Sequence, residues 1–129
     1  MVIHFPIALV LAAAAAELLA ITTARREWRA LAVANLRAGA LFVAAAAISG
    51  WLLAATVEPS PSLQYHRLLG SAASLAAIGT ALTTTAAGMR DSNGSWPYRV
   101  SLFATAVLVG IAAHLGAVLV WGANFILQN

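Results

Sequence analysis

A helix needs roughly 20 mostly apolar residues to cross the ~30 Å hydrocarbon core of a bilayer, and this chain offers four such runs. They cover about Phe5–Ala24, Ala38–Val57, Leu68–Gly88 and Val100–Trp121. The breaks between them have physical causes. Arg25-Arg26-Glu27-Trp28-Arg29 ends the first run, because clustered charge is costly in hydrocarbon. Glu58-Pro59-Ser60-Pro61-Ser62 ends the second, since proline has no backbone N–H and disfavours helix in the residue before it. Gly88 to Pro97 gathers Asp91, Ser92, Asn93, Gly94 and Ser95, all turn formers. Ser60 or Ser62 suits the cap of the third helix and Ser95 that of the fourth, with Pro61 and Pro97 in the first helical turns. Short connections make sequential helices antiparallel neighbours. The expected fold is therefore all-α: one domain, residues 1–129, forming an integral membrane four-helix bundle that runs up-down-up-down.

Composition closes off the other classes. The chain is 62% hydrophobic and 9% charged, far from the near-half apolar, one-quarter charged balance of soluble domains, and further still from a disordered chain. With no cysteine, disulfides, thiolate zinc sites, cysteine-ligated iron–sulfur clusters, thiol catalysis and covalent haem attachment are all excluded. A formal charge of +3 would normally raise the question of nucleic acid. All seven basic residues are arginines lying between or beside the apolar runs, however, where they report orientation and not a phosphate-binding face. Arg25, Arg26, Arg29 and Arg37 flank the first connection and Arg90 and Arg99 the third, against Arg67 alone at the second. That asymmetry predicts the first and third loops inside and both termini on the outer, periplasmic side of a bacterial inner membrane. Aromatic residues fit the same frame, with Trp28, Trp96 and Tyr98 at the inner rim and Phe5, Trp51, Tyr65, Trp121 and Phe125 toward the outer one. A cleaved signal peptide is a poor reading of the first run, because its basic residues follow the apolar stretch instead of preceding it.

Small residues form stripes at Gly70-x-x-x-Ser74 and at Gly110, Ala113 and Ala117. In lipid such stripes let helices approach closely, and beside a histidine they also leave room for a flat cofactor. Intramembrane ionisable groups are functional suspects by default. Here they are His4, Glu17, His66, Arg67 and His114, with the three histidines on helices one, three and four. At ~1.5 Å rise per residue, His66 lies roughly 8 Å inside the start of its helix and His114 about 18 Å from the outer end of its own. Helices one and three are diagonal partners in a sequential bundle, so His4 and His66 come to similar height across it. That is the geometry of a haem held by two neutral imidazoles, and Gly70, one turn from His66, clears space for the ring. Arg67 at the outer rim suits a haem propionate. His114 has three readings: the alternate ligand, a partner for a propionate or quinone, or a donor to a carbonyl of the next helix. Glu17 lies about 20 Å deeper than His4 and about 220° around the helix from it. The two therefore cannot both face the bundle centre, and one of them meets another subunit unless Glu17 is protonated and bonded inside. Thr80, Thr83 and Thr84 are its candidate partners, and a neutral carboxyl is the simplest expectation.

His4-Phe5-Pro6-Ile7-Ala8-Leu9, followed by Glu17-Leu18-Leu19, resembles a bacterial four-helix membrane family of unknown function with a His-Phe-Pro signature. The same domain occurs next to cytochrome c domains in planctomycete-type proteins. His66-Arg67-Leu68-Leu69-Gly70 resembles the family's third-helix motif, and His114-Leu115-Gly116 with Leu119-Val120-Trp121-Gly122 its fourth. The resemblance spans the whole chain, with Ala117 standing where the family often has a second glycine. It implies a role near respiratory or photosynthetic electron transfer, with any redox partner on a separate chain such as a periplasmic cytochrome c. The resulting expectation is a membrane subunit of an electron-transfer complex, without acid–base catalysis of its own. It would bind one b-type haem through His4 and His66, with quinone as a further ligand to consider. The rival is a cofactor-free accessory subunit packing against a redox complex. A transporter is disfavoured, since no helix is broken and no paired intramembrane charges are evident.

Overall fold

The computed structural model of the chain describes residues 4–84 and 96–122. Four helices account for nearly all of them: α1 (His4–Thr23), α2 (Arg26–Ala54), α3 (Pro61–Thr83) and α4 (Trp96–Trp121). Each packs on the next and α4 returns to α1, so α1/α3 and α2/α4 are the diagonals of a four-helix bundle. The Gly88–Ser95 stretch with Arg90 and the expected Ser95 cap, and Phe125 beyond α4, lie outside the described residues.

The boundaries differ from the sequence expectation in one instructive place. Arg26, Glu27 and Arg29 do not form a loop; they are the opening turns of α2, which starts twelve residues before Ala38. At ~1.5 Å per residue its 29 residues reach about 43 Å, well beyond the ~30 Å hydrocarbon core. The charged turns can therefore stand in the interface while the helix remains continuous. Reversal from α1 to α2 takes only Ala24 and Arg25, with Ala24 in the left-handed region at φ 53°. Helix α3 begins as expected: Ser60 Oγ accepts from the Leu63 N–H at 3.2 Å, and Pro61 occupies the first turn. Pro97 likewise sits in the first turn of α4.

Helices α1, α2 and α4 are long and apolar enough to cross a membrane. The third expected span, on α3, falls short among the described residues, because Ser62, Gln64, His66 and Arg67 make the opening turns of that helix polar.

Two apolar layers join the helices. Val10, Ala73, Ala106, Val109 and Ala112 pack together in one, and Ala13, Val33, Leu36, Tyr98 and Leu102 in the other. Tyr98 was expected at the rim but is buried in the second layer, whereas Trp96 is exposed as a belt residue should be. Helices α1 and α2 approach closely at Gly39. A Cβ there would stand 3.1 Å from Val10 Cγ2 and 3.3 Å from Leu9 Cβ. With small residues on the inside, large ones such as Leu41, Leu75, Val107 and Val120 turn outward, as a lipid-facing surface requires.

Candidate functional site

Polar side chains collect at the two ends of the bundle. At the end where α1 and α3 finish and α2 and α4 begin, Glu17 is fully buried. Its Oε1 accepts from Arg29 Nη2 at 3.1 Å and from Arg99 Nε at 3.0 Å. One carboxylate thus ties α1 to both α2 and α4. Its other oxygen, Oε2, and the Tyr98 hydroxyl are buried without a hydrogen-bond partner. Arg37 completes the ring of ties by donating from Nε to Thr84 Oγ1 at 2.9 Å and from Nη2 to the Thr84 carbonyl, which joins α2 to α3.

This corrects the expectation for Glu17. None of Thr80, Thr83 and Thr84 is its partner. Thr80 is within 3.1 Å of Thr105 on α4, Thr83 bonds back within its own helix, and Thr84 receives Arg37. The partners of Glu17 are instead two guanidinium groups, one on α2 and one on α4. The signal for this cluster was present in the sequence as depth. Glu17 is six residues from the end of α1, about 9 Å, while Arg29 and Arg99 are each three residues inside the starts of α2 and α4. A ~6 Å arginine side chain reaching inward closes that difference. Arginines assigned to orientation alone are in fact structural, and Arg29, Arg37 and Arg99 were the site residues that sequence reasoning missed.

The histidines gather at the opposite end. His4 opens α1 and His66 lies on the second turn of α3, so the two are at the same end on diagonal helices. His66 is half-buried and packs across the α3–α4 seam. Its Nδ1 stands 3.1 Å from the carbonyl oxygen of Ala112. Its ring edge lies so close to Gly116 that a Cβ there would stand 3.0 Å from His66 Cε1. A carbonyl can only accept, so Nδ1 must carry the proton, and the neutral ring then keeps an unprotonated Nε2.

His114 does not join it. Two residues from Ala112, it falls about 200° around α4 and is exposed on the outer face. Arg67 is also separated from His66, because consecutive residues diverge by about 100°. Its guanidinium lies 3.9 Å over the Trp51 ring, in the α2–α3 seam. Gly70 and Gly110 have nothing within 4 Å of where a Cβ would be, so they face open space and not a packed helix. Glu17 is buried by the bundle, and the side chain of His4 lies outside what the structure describes. Among the described residues, no three His, Cys, Asp or Glu side chains come together as a metal site.

The whole-chain extent of this pattern is matched by a family model for predicted membrane proteins of unknown function, DUF2231, over residues 1–127. The chain belongs to this family. No curated protein and no solved structure matches it. Family membership agrees with the resemblance read from the His-Phe-Pro stretch and with the membrane assignment of this DUF2231 chain.

Proposed function

We propose that this DUF2231 chain is a membrane subunit of an electron-transfer complex that binds one b-type haem at its histidine end. The observation that carries the reading is the hydrogen bond from His66 Nδ1 to the Ala112 carbonyl. A metal-ligating histidine usually donates its other ring N–H to a carbonyl or carboxylate, which fixes the tautomer and leaves the free nitrogen basic. His66 is held in that state, so its donor chemistry fits an axial ligand. His4, at the same end of the bundle, is the second ligand in this reading. The haem would supply one-electron transfer. The chain's own part is to fix the His66 ring: Ala112 sets the tautomer, and Gly116 admits the ring against the α4 backbone. Gly70, open to its surroundings, leaves room on the same side of α3. The partner is a separate redox protein at the outer face, such as a periplasmic cytochrome c, with the histidine end outward in a bacterial inner membrane. Quinone is the other redox ligand in this reading, and the exposed imidazole of His114, not His66, would be the donor to its carbonyls.

The test is a reduced-minus-oxidised optical spectrum of the protein purified after expression with ample haem. Bis-histidine b-type bands are expected in the wild type and in His114→Ala, and their loss in His66→Ala and His4→Ala. No haem absorbance in the wild type, or bands indifferent to His66, would overturn the assignment. One observation favours the alternative of a cofactor-free accessory subunit. His114 faces outward, which leaves a histidine at a surface where another subunit could pack.

A further inference from the structure

Arg67 lies at the opposite end of the bundle from Arg29, Arg37 and Arg99, the three that tie helices together. Its surroundings are specific. A shallow groove of about 260 Å³ between α2 and α3 is lined by Trp51, Gln64, Arg67, Leu68 and Ser71. The guanidinium is stacked 3.9 Å over the indole of Trp51. The indole is itself fixed, its Nε1–H donating to Ser71 Oγ at 3.0 Å. Stacking sets the plane of the guanidinium but satisfies none of its in-plane donors. Arg67 Nε is buried without a hydrogen-bond partner, and among the described residues no carboxylate pairs with this cation.

A held cation with unused donors, in a groove too open to enclose a small molecule, fits an anion that is anchored from elsewhere. Depth and flanks say from where. Arg67 is six residues inside the start of α3, about 9 Å, within the headgroup-to-hydrocarbon boundary. Leu52, Leu53, Leu68 and Leu75 on the same two helices are strongly exposed, and acyl chains would cover them. We propose that the Trp51–Arg67 groove binds the phosphate of an anionic phospholipid headgroup. Arg67 donates to the phosphate oxygens, Gln64 is the neighbouring polar group on the groove wall, and the exposed leucines receive the acyl chains. A fork-shaped guanidinium matches phosphate oxygens bidentately, which an ammonium cannot. The inference is independent of the haem reading, because His66 faces the other seam of α3.

The test uses the full chain in nanodiscs with Trp28, Trp96 and Trp121 changed to Phe, leaving Trp51 as the reporter. Its fluorescence is quenched by lipids brominated on the acyl chain, offered as phosphatidylglycerol or as phosphatidylcholine in a common background. The expected result is an apparent affinity for the anionic lipid about fivefold higher. That preference should disappear in Arg67→Gln, be intermediate in Arg67→Lys and remain in His66→Ala. Equal quenching by the two lipids in the parent protein overturns the proposal without reliance on any variant. So does a preference that survives Arg67→Gln. Displacement of the brominated lipid by millimolar glycerol phosphate would show a soluble phosphate ester as the occupant and would equally overturn it.

Discussion

Glu17→Gln tests the ionic tie at its centre, because it removes the one negative charge between two guanidinium groups. The carboxyl is fully buried, and a single oxygen accepts from Arg29 at 3.1 Å and Arg99 at 3.0 Å. Breaking a buried pair by removing one partner costs about 3–5 kcal/mol. The arginine side chains are 19% and 24% exposed, so both can turn partly toward water, and the loss should fall near ~3 kcal/mol. Arg99→Gln alone leaves the carboxylate one cation and should cost about 2 kcal/mol, the value of a charge-assisted hydrogen bond. Arg29→Gln should behave alike. The double variant strands a buried carboxylate with neither cation, so its cost should exceed the sum of the singles by roughly 1 kcal/mol or more. Replacing all three with apolar residues, Glu17→Leu with Arg29→Met and Arg99→Met, should be far milder than the double variant, since no charge is then left buried. Unfolding of the purified protein in mixed micelles, followed by circular dichroism as denaturing detergent is titrated in, ranks the set. If Glu17→Gln lies within about 0.5 kcal/mol of wild type, or the arginine variants add to within ~0.5 kcal/mol, Glu17 is not the charge centre of the tie.

Other substitutions separate close packing from open space in the same unfolding assay. Gly39→Ala would push a methyl against Val10 and Leu9 and should cost about 1–3 kcal/mol by overpacking. Gly70→Ala meets nothing within 4 Å and should be neutral, or stabilising by up to ~1 kcal/mol through helix propensity, unless a bound group occupies that space. Ser60→Ala removes the side-chain cap of α3 and should cost roughly 1 kcal/mol. Orientation is open to direct measurement, because the chain has no cysteine. A single cysteine at Arg25 should be shielded from an impermeant thiol reagent in intact cells, and one at Pro59 should react; the reverse pattern would invert the topology.

The bundle was legible because its determinants are local and strong. Proline and serine at the start of α3 act within one turn, and the apolar runs are long. The start of α2 was misread for a definite reason: clustered charge forbids residence in hydrocarbon but not helix. Arg26 and Arg29 satisfy both constraints by extending the helix beyond the bilayer core. Tyr98 was misplaced because an interfacial preference holds only for residues on the outward face, and that face depends on neighbours the sequence does not display. At the histidine end, spacing correctly brought His4 and His66 to one end of the bundle. It gave no warning that Arg67 would turn to Trp51 on α2 while His66 turned to Gly116 on α4.

The two ends divide the labour of the few polar residues. At the arginine end the charges are paired within the protein: Glu17 binds two cations and Arg37 takes both the hydroxyl and the carbonyl of Thr84, while the unpartnered Glu17 Oε2 and Tyr98 hydroxyl are buried inside the bundle. Such an end holds helices together, and its unpartnered atoms are closed off from an outside ligand by burial. At the histidine end the same kinds of groups retain valence. His66 spends Nδ1 on Ala112 and keeps Nε2, and Arg67 spends its face on Trp51 and keeps its in-plane donors. Only groups with spare bonding capacity can recognise something outside the chain. Replacing Ala112 with proline would not test this, because the carbonyl that fixes His66 is a backbone atom and would survive while the helix would not. Gly116→Ala does test it: its methyl would meet His66 Cε1 at 3.0 Å and must displace the ring while leaving the arginine end untouched. Imidazole-dependent properties should therefore change in Gly116→Ala with at most ~1–3 kcal/mol lost in stability. Unaltered behaviour of His66, read from its ring resonances in isotope-labelled protein, would mean that the α4 backbone does not position it.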